Sequence, residues 1–247
     1  MLKYHKIFSI ALGLLFMVVL VVFSNPTPVF RFILPAFLAV LLLTFLYNRW
    51  YLQALNKYNI WLIIRPLLLE TSGFIMYLLL LNSFFRGGFL VATVFFIAVF
   101  EIMLANFSEN LLLNETLLTA FAFCFSFFGF SWWVPGFLYL YFFGLFLALL
   151  LLSRSFFDYT AQTSGIKWLN AFIASFLSVQ IFWASSFLPF HYSVLAILLL
   201  NYFYVLVVLD YHSLYNTLSP KKVKFYFSLA GICLLFAFSA TPWTIVG

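Results

Sequence analysis

The sequence predicts an all-α integral membrane protein, a polytopic bundle of about nine transmembrane helices with its N-terminus inside and its C-terminus outside. Three observations predict it. Hydrophobic residues make up 66% of the chain and charged residues only 7%, against roughly 25% charged in an ordinary soluble domain. The bilayer is therefore the solvent for most of the chain. The apolar residues fall in nine runs separated by short polar loops, and all but the fifth run clearly supply the roughly 17 to 25 residues that a helix needs to cross hydrocarbon. Lysine and arginine concentrate in every second loop, as the cytoplasmic positive bias dictates.

In chain order the expected spans are residues 7–23, 30–47, 60–81, 89–107, 112–130, 135–152, 168–187, 191–209 and 223–241. The first run follows Lys3 and Lys6, a grammar shared with signal peptides, and Val22-Phe23-Ser24 is an acceptable cleavage site. Its length exceeds an h-region of about 7 to 15 residues, so it is read as a retained span. Asn25-Pro26-Thr27-Pro28 ends it, because proline lacks an amide donor and restricts the residue before it. Arg49 and Lys57 sit among Trp50, Tyr51 and Tyr58 in the next loop, a basic and aromatic composition typical of a membrane interface. Asn82-Ser83 and Arg86-Gly87-Gly88 make the following turn. Glu109 and Glu115 mark the one acidic loop, and the fifth span is short unless residues 111–115 belong to it. Trp132, Trp133, Pro135 and Gly136 form an aromatic girdle and a breaker at the next hairpin.

With the N-terminus inside, Lys3, Lys6, Arg49, Lys57, Arg154, Lys167, Lys221, Lys222 and Lys224 all lie on the inner side, and only Arg31 and Arg86 lie outside. This asymmetry places the chain as a multi-pass protein of the cell's inner, cytoplasmic membrane. It also accounts for the net charge of +6 without a nucleic-acid partner. The loops leave no room for a soluble domain, so residues 1–247 read as a single transmembrane domain. The expected partners are the lipid bilayer and either another membrane protein or a second copy of the chain. The three inner hairpins share a form, but no side-chain motif recurs among them, and the membrane interface explains the likeness.

Cys124 and Cys233 lie inside apolar runs with no CxxC or Cys/His neighbour, and read as small hydrophobes. His191 and His212 flank the eighth span at opposite ends and cannot share a metal. Asp158 and Asp210 lie at inner helix ends, outside any GxGD context, as loop partners for Lys167 and Lys221. No nucleophile elbow, P-loop or zinc signature occurs. The sequence thus points away from an enzyme and calls for no cofactor.

The chemistry-bearing stretch is Trp61 to Gly73, an apolar helix carrying Arg65, Pro66 and Glu70 in its interior, together with Glu101 in the next span. Arginine or glutamate in hydrocarbon costs about 2.5 to 3.5 kcal/mol on insertion scales, so such residues face a protein interior and often mark function. Arg65 and Glu101 lie about five and six residues from the inner ends of antiparallel spans, roughly 8 Å deep at 1.5 Å per residue, and are expected to pair. Glu70, near the midplane and five residues from Arg65, is out of register for that pair and needs a partner elsewhere. Gln180 and Asn201 are the candidates, with Ser178, Tyr202 and Tyr204 as further donors. Ala98 and Ala105 share a face with Glu101, and Pro66 and Gly73 share one with Glu70, which permits close helix approach.

Arg65, Glu70, Glu101, Gln180 and Asn201 are therefore the candidate binding set for a small solute or an ion, a proton or another cation, in a transporter. The competing reading is a non-catalytic membrane-embedded assembly or scaffold subunit whose buried charges fix helix packing. A third is an intramembrane enzyme acting on a lipid-linked substrate.

Overall fold

The computed structural model describes residues 2–24, 30–80, 83–103, 109–160, 162–188 and 190–239. These form nine α-helices: α1 (Leu2–Ser24), α2 (Phe30–Ala54), α3 (Ile60–Leu79), α4 (Ser83–Ile102), α5 (Glu109–Trp133), α6 (Leu138–Phe157), α7 (Ser164–Ser185), α8 (Tyr192–Leu214) and α9 (Pro220–Ser239). A 3-10 turn at Pro135–Phe137 leads into α6, and the described residues contain no strand. Seven of these helices are long and apolar enough to cross a membrane. The expected all-helical bundle is borne out.

Helices α2, α6 and α8 continue five to seven residues beyond their predicted spans, because nothing stops a helix where the hydrocarbon ends. At the α2–α3 connection, Asn56 takes the left-handed conformation at φ 55°. Lys57 N–H then donates to the Leu52 carbonyl at 2.9 Å and Asn56 N–H to the Gln53 carbonyl at 3.1 Å, closing the last orphan carbonyls of the helix. Asn59 caps α3 by accepting from Trp61 N–H.

The α8–α9 connection repeats this turn. Asn216 has φ 54°, and Thr217 N–H and Asn216 N–H donate to the His212 and Ser213 carbonyls at 2.9 and 3.0 Å. Helix α9 starts 160 residues after α3, and α8 ends 160 residues after α2. Two of the three inner hairpins are thus one backbone design, closer kin than the shared membrane interface required.

The chain is organised as two compact units, Met1–Glu115 and Thr116–Gly247, divided within α5. In the first, α1 packs on α2, α3 and α4, while α3 packs on α2 and α4. Leu12, Phe16, Leu20, Ile33, Ile63 and Ile97 fill its core. Two glycines permit the closest approaches. A Cβ on Gly13 would sit 3.2 Å from the Val94 carbonyl oxygen, and one on Gly73 would sit 2.7 Å from Thr93 Cγ2. The small face expected around Gly73 does receive a neighbouring helix; Ala105 lies outside the described residues.

In the second unit, α6, α7, α8 and α9 pack in sequential pairs, and the later part of α5 joins them through Phe128 against Phe182 (ring centroids 4.3 Å) and Phe125 against Tyr192 (5.1 Å). Helix α7 buries a stripe of Ala171, Ala174, Ser175 and Ser178, the small-residue face that lets membrane helices approach without a hydrophobic drive between them. Ser175 and Ser178 return their hydroxyls to the Ala171 and Ala174 carbonyls, so neither is left as an unsatisfied donor.

Candidate functional site

The interior of the first unit is polar along one line. Pro66 in α3 has no amide to give the Leu62 carbonyl, and beside it Arg65 points into the bundle, 1% exposed. Its Nε donates to Glu115 Oε2 at 3.0 Å and its Nη2 to the Leu112 carbonyl at 3.1 Å. The expected Arg65–Glu101 pair is therefore corrected: the partner is Glu115. Depth was a sound guide, but the acidic loop was not a loop there. Helix α5 begins at Glu109, which places Glu115 nearly two turns inside it and buries its carboxyl at 1% exposure. The side chains of Glu109 and Asn110 lie outside the described residues.

Glu101, fully buried, accepts from Asn48 Nδ2 at 2.8 Å. Its backbone carbonyl faces His5 Nε2 at 2.8 Å. A carbonyl only accepts, so Nε2 carries the hydrogen, and in the neutral ring Nδ1 accepts from the Tyr47 hydroxyl at 2.7 Å. Tyr51 stacks on the imidazole at 3.6 Å between centroids, which fixes its plane. Glu70, also fully buried, accepts from Thr44 Oγ1 at 2.9 Å.

Neither Glu70 nor Glu101 makes an ion pair among the described residues. Glu70 Oε2, Glu101 Oε2, Glu115 Oε1 and Asn48 Oδ1 are buried with no hydrogen-bond partner there. The carboxyls lie within electrostatic reach of one another, Glu101 acting on Glu70 and Glu115 on Glu101. Of the three carboxyls, only that of Glu115 is bonded to a guanidinium among the described residues. Among the described residues no three His, Cys, Asp or Glu side chains approach closely enough to hold a metal ion. What the arrangement can accommodate chemically is a proton, or a small cation held by scattered oxygens.

Gln180 and Asn201 belong to the second unit. Gln180 is exposed on α7, and Asn201 returns its amide to the Ile197 carbonyl one turn back, while within the first unit Glu70 has its own donor. Thr44 fills that role. Asp158 does meet Lys167, at 3.8 Å, and also takes Arg154 Nη1 at 3.1 Å. The expected Asp210–Lys221 pair does not form, and Lys222 Nζ approaches His212 Nδ1 at 3.4 Å instead. His5, Thr44 and Asn48 were not singled out from sequence, and Glu115 only as a member of the acidic loop. Thr44 and Asn48, four residues apart, share one face of α2, but the expected span stops at residue 47 and leaves Asn48 in the loop.

A bundle of apolar helices with ionisable side chains gathered in its interior defines a multi-pass α-helical membrane protein. No family model, curated protein or solved structure matches the chain.

Proposed function

We propose that the protein moves protons, or a cation taken up in their place, across a cytoplasmic-type membrane, with Glu70 and Glu101 as the exchanging groups and the Arg65–Glu115 pair as fixed counter-charge. One observation carries this reading. Two fully buried carboxyls are each held on one oxygen by a neutral side chain, with the other oxygen unpartnered. A carboxyl so placed can gain and lose a proton without breaking an ion pair.

The repeated hairpin supports it. At the positions 160 residues on, α9 carries Phe225 and Ala230 where α3 carries Arg65 and Glu70, and α8 carries Val208 where α2 carries Asn48, yet the same turn forms. The hairpin turn closes without these charges. Their insertion cost of about 2.5 to 3.5 kcal/mol each therefore serves something other than folding.

The assembly reading retains one observation of its own. Gln180 exposes an amide among the apolar residues Phe176 and Trp183 on the surface of α7, where another membrane helix can take it up.

Purified protein in vesicles with a trapped pH dye and a potassium-set potential tests the proposal. The wild type should pass protons, and Glu101→Gln should lower the flux while leaving the melting temperature in place. Absence of flux for protons, sodium and potassium, together with a membrane partner lost on Gln180→Leu, would transfer the function to assembly.

A further inference from the structure

The polar line in the first unit has a direction. At the end where α2 turns into α3 it holds His5, Tyr47, Asn48 and Glu101, then Arg65 with Glu115, and it stops at Thr44 and Glu70. On the far side of Glu70 the buried side chains become mostly apolar, with Thr93 turning its methyl to Gly73 and its hydroxyl 3.8 Å from that glycine's Cβ position. Phe74 follows Glu70 by one helical turn on α3, about 6 Å along the axis, and Phe37 precedes Thr44 by two turns on α2, about 10 Å. Their rings stack at 4.0 Å between centroids, 5° from parallel. Phe16 of α1 closes edge-on against Phe37 at 6.2 Å, and its ring tip lies 3.7 Å from the Cβ position of Gly73. All three phenylalanines are buried, and buried Leu20, Ile33 and Leu90 lie farther toward the α3–α4 turn. The next charged group reached on α4 is Arg86, over the Tyr77 ring near that turn.

We infer that Phe16, Phe37 and Phe74 form a hydrophobic seal that closes the polar line beyond Glu70, so that Glu70 exchanges protons with only the α2–α3 face of the membrane in this conformation. The inference rests on the proton-moving reading for its purpose, but the seal itself is a property of access. Water needs polar partners to occupy a cavity. Short of the seal the unpartnered oxygens of Glu70, Glu101 and Asn48 offer them, and the stacked rings offer none. Charged or titratable groups near Glu70 are Glu101 from α4, Arg65 from its own helix and Glu115 from α5, with His5, Tyr47 and Tyr51 nearer the α2–α3 face. Each lies on the polar side of the rings. By the lysine and arginine asymmetry that side is the cytoplasm.

The test uses full-length protein in oriented vesicles, with Cys124→Ala, Cys233→Ser and Thr44→Cys as reporter, and a membrane-impermeant thiol reagent added at the α3–α4 face. The parent should stay unlabelled from that face, and adding Phe37→Ala with Phe74→Ala should make Cys at position 44 reactive. Phe37→Leu with Phe74→Leu keeps the apolar packing but loses the flat stack, and should give slower labelling if the alanine pair does not fold. In the Thr44 background, the alanine pair should also open a proton leak that Glu70→Gln removes. Labelling of the parent from the α3–α4 face, or none in folded alanine and leucine variants, would overturn the seal. Labelling that appears without any proton leak would keep the seal and overturn the proton-moving function.

Discussion

Arg65→Ala is expected to destabilise the first unit by roughly 3 to 5 kcal/mol, because it leaves a buried carboxylate without its cation. Glu115 would lose the donor at 3.0 Å on one oxygen, and its other oxygen already has no partner among the described residues. The bond from Arg65 to the Leu112 carbonyl would be lost as well. Replacing both members, Arg65→Met with Glu115→Leu, should recover most of the loss, since an apolar pair of similar volume needs no desolvation. Unfolding in detergent of the two single variants and the double variant gives the coupling. Arg65→Ala with Glu101→Leu should show no such recovery, and finding it there would reinstate the pairing inferred from depth.

Asp158→Ala is the corresponding test in the second unit, expected to cost about 2 to 3 kcal/mol, the range for hydrogen bonds to charged groups. Asp158 answers two cations at once, Arg154 at 3.1 Å and Lys167 at 3.8 Å, with side-chain exposures of only 5% and 11% for the cations. Lys167 would keep its 2.9 Å bond to the Asp158 carbonyl, so the loss falls mainly on Arg154, whose guanidinium also lies over the Trp168 ring at 5.5 Å. A loss of only a few tenths of a kcal/mol would mean that solvent screens the site as it does an exposed pair.

The helices were legible because the bilayer imposes a length and a hydropathy that almost no other environment demands. The weakest predicted boundary was the one that mattered most. Asn114, Glu115 and Thr116 look like loop residues, but a buried arginine opposite lets a helix bury Glu115 and Thr116 while Asn114 stays exposed, and that tertiary contact leaves no trace in local composition. Rotation about the helix axis was equally hidden: span depth placed Arg65 near Glu101, yet only packing decides which neighbour a side chain faces. The Thr44 and Asn48 pairing stays hidden because the hydropathy boundary at residue 47 falls between them, and His5 stays hidden because it lies between Lys3 and Lys6 ahead of the first apolar run. The likeness of the inner hairpins is visible in sequence only as a shared interfacial composition, because the recurrence of the α2–α3 turn at α8–α9 lies in φ angles and backbone hydrogen bonds, with Asn56 and Asn216 at the left-handed position.

The central claim is that Glu70 exchanges protons, and proton uptake into vesicles by wild type and Glu70→Gln measures it most directly. The amide keeps the shape and can still accept from Thr44, but it cannot titrate. The account predicts wild-type uptake driven by the imposed potential, and uptake at the level of protein-free vesicles in Glu70→Gln with an unchanged melting temperature. Equal uptake by the two proteins would contradict it.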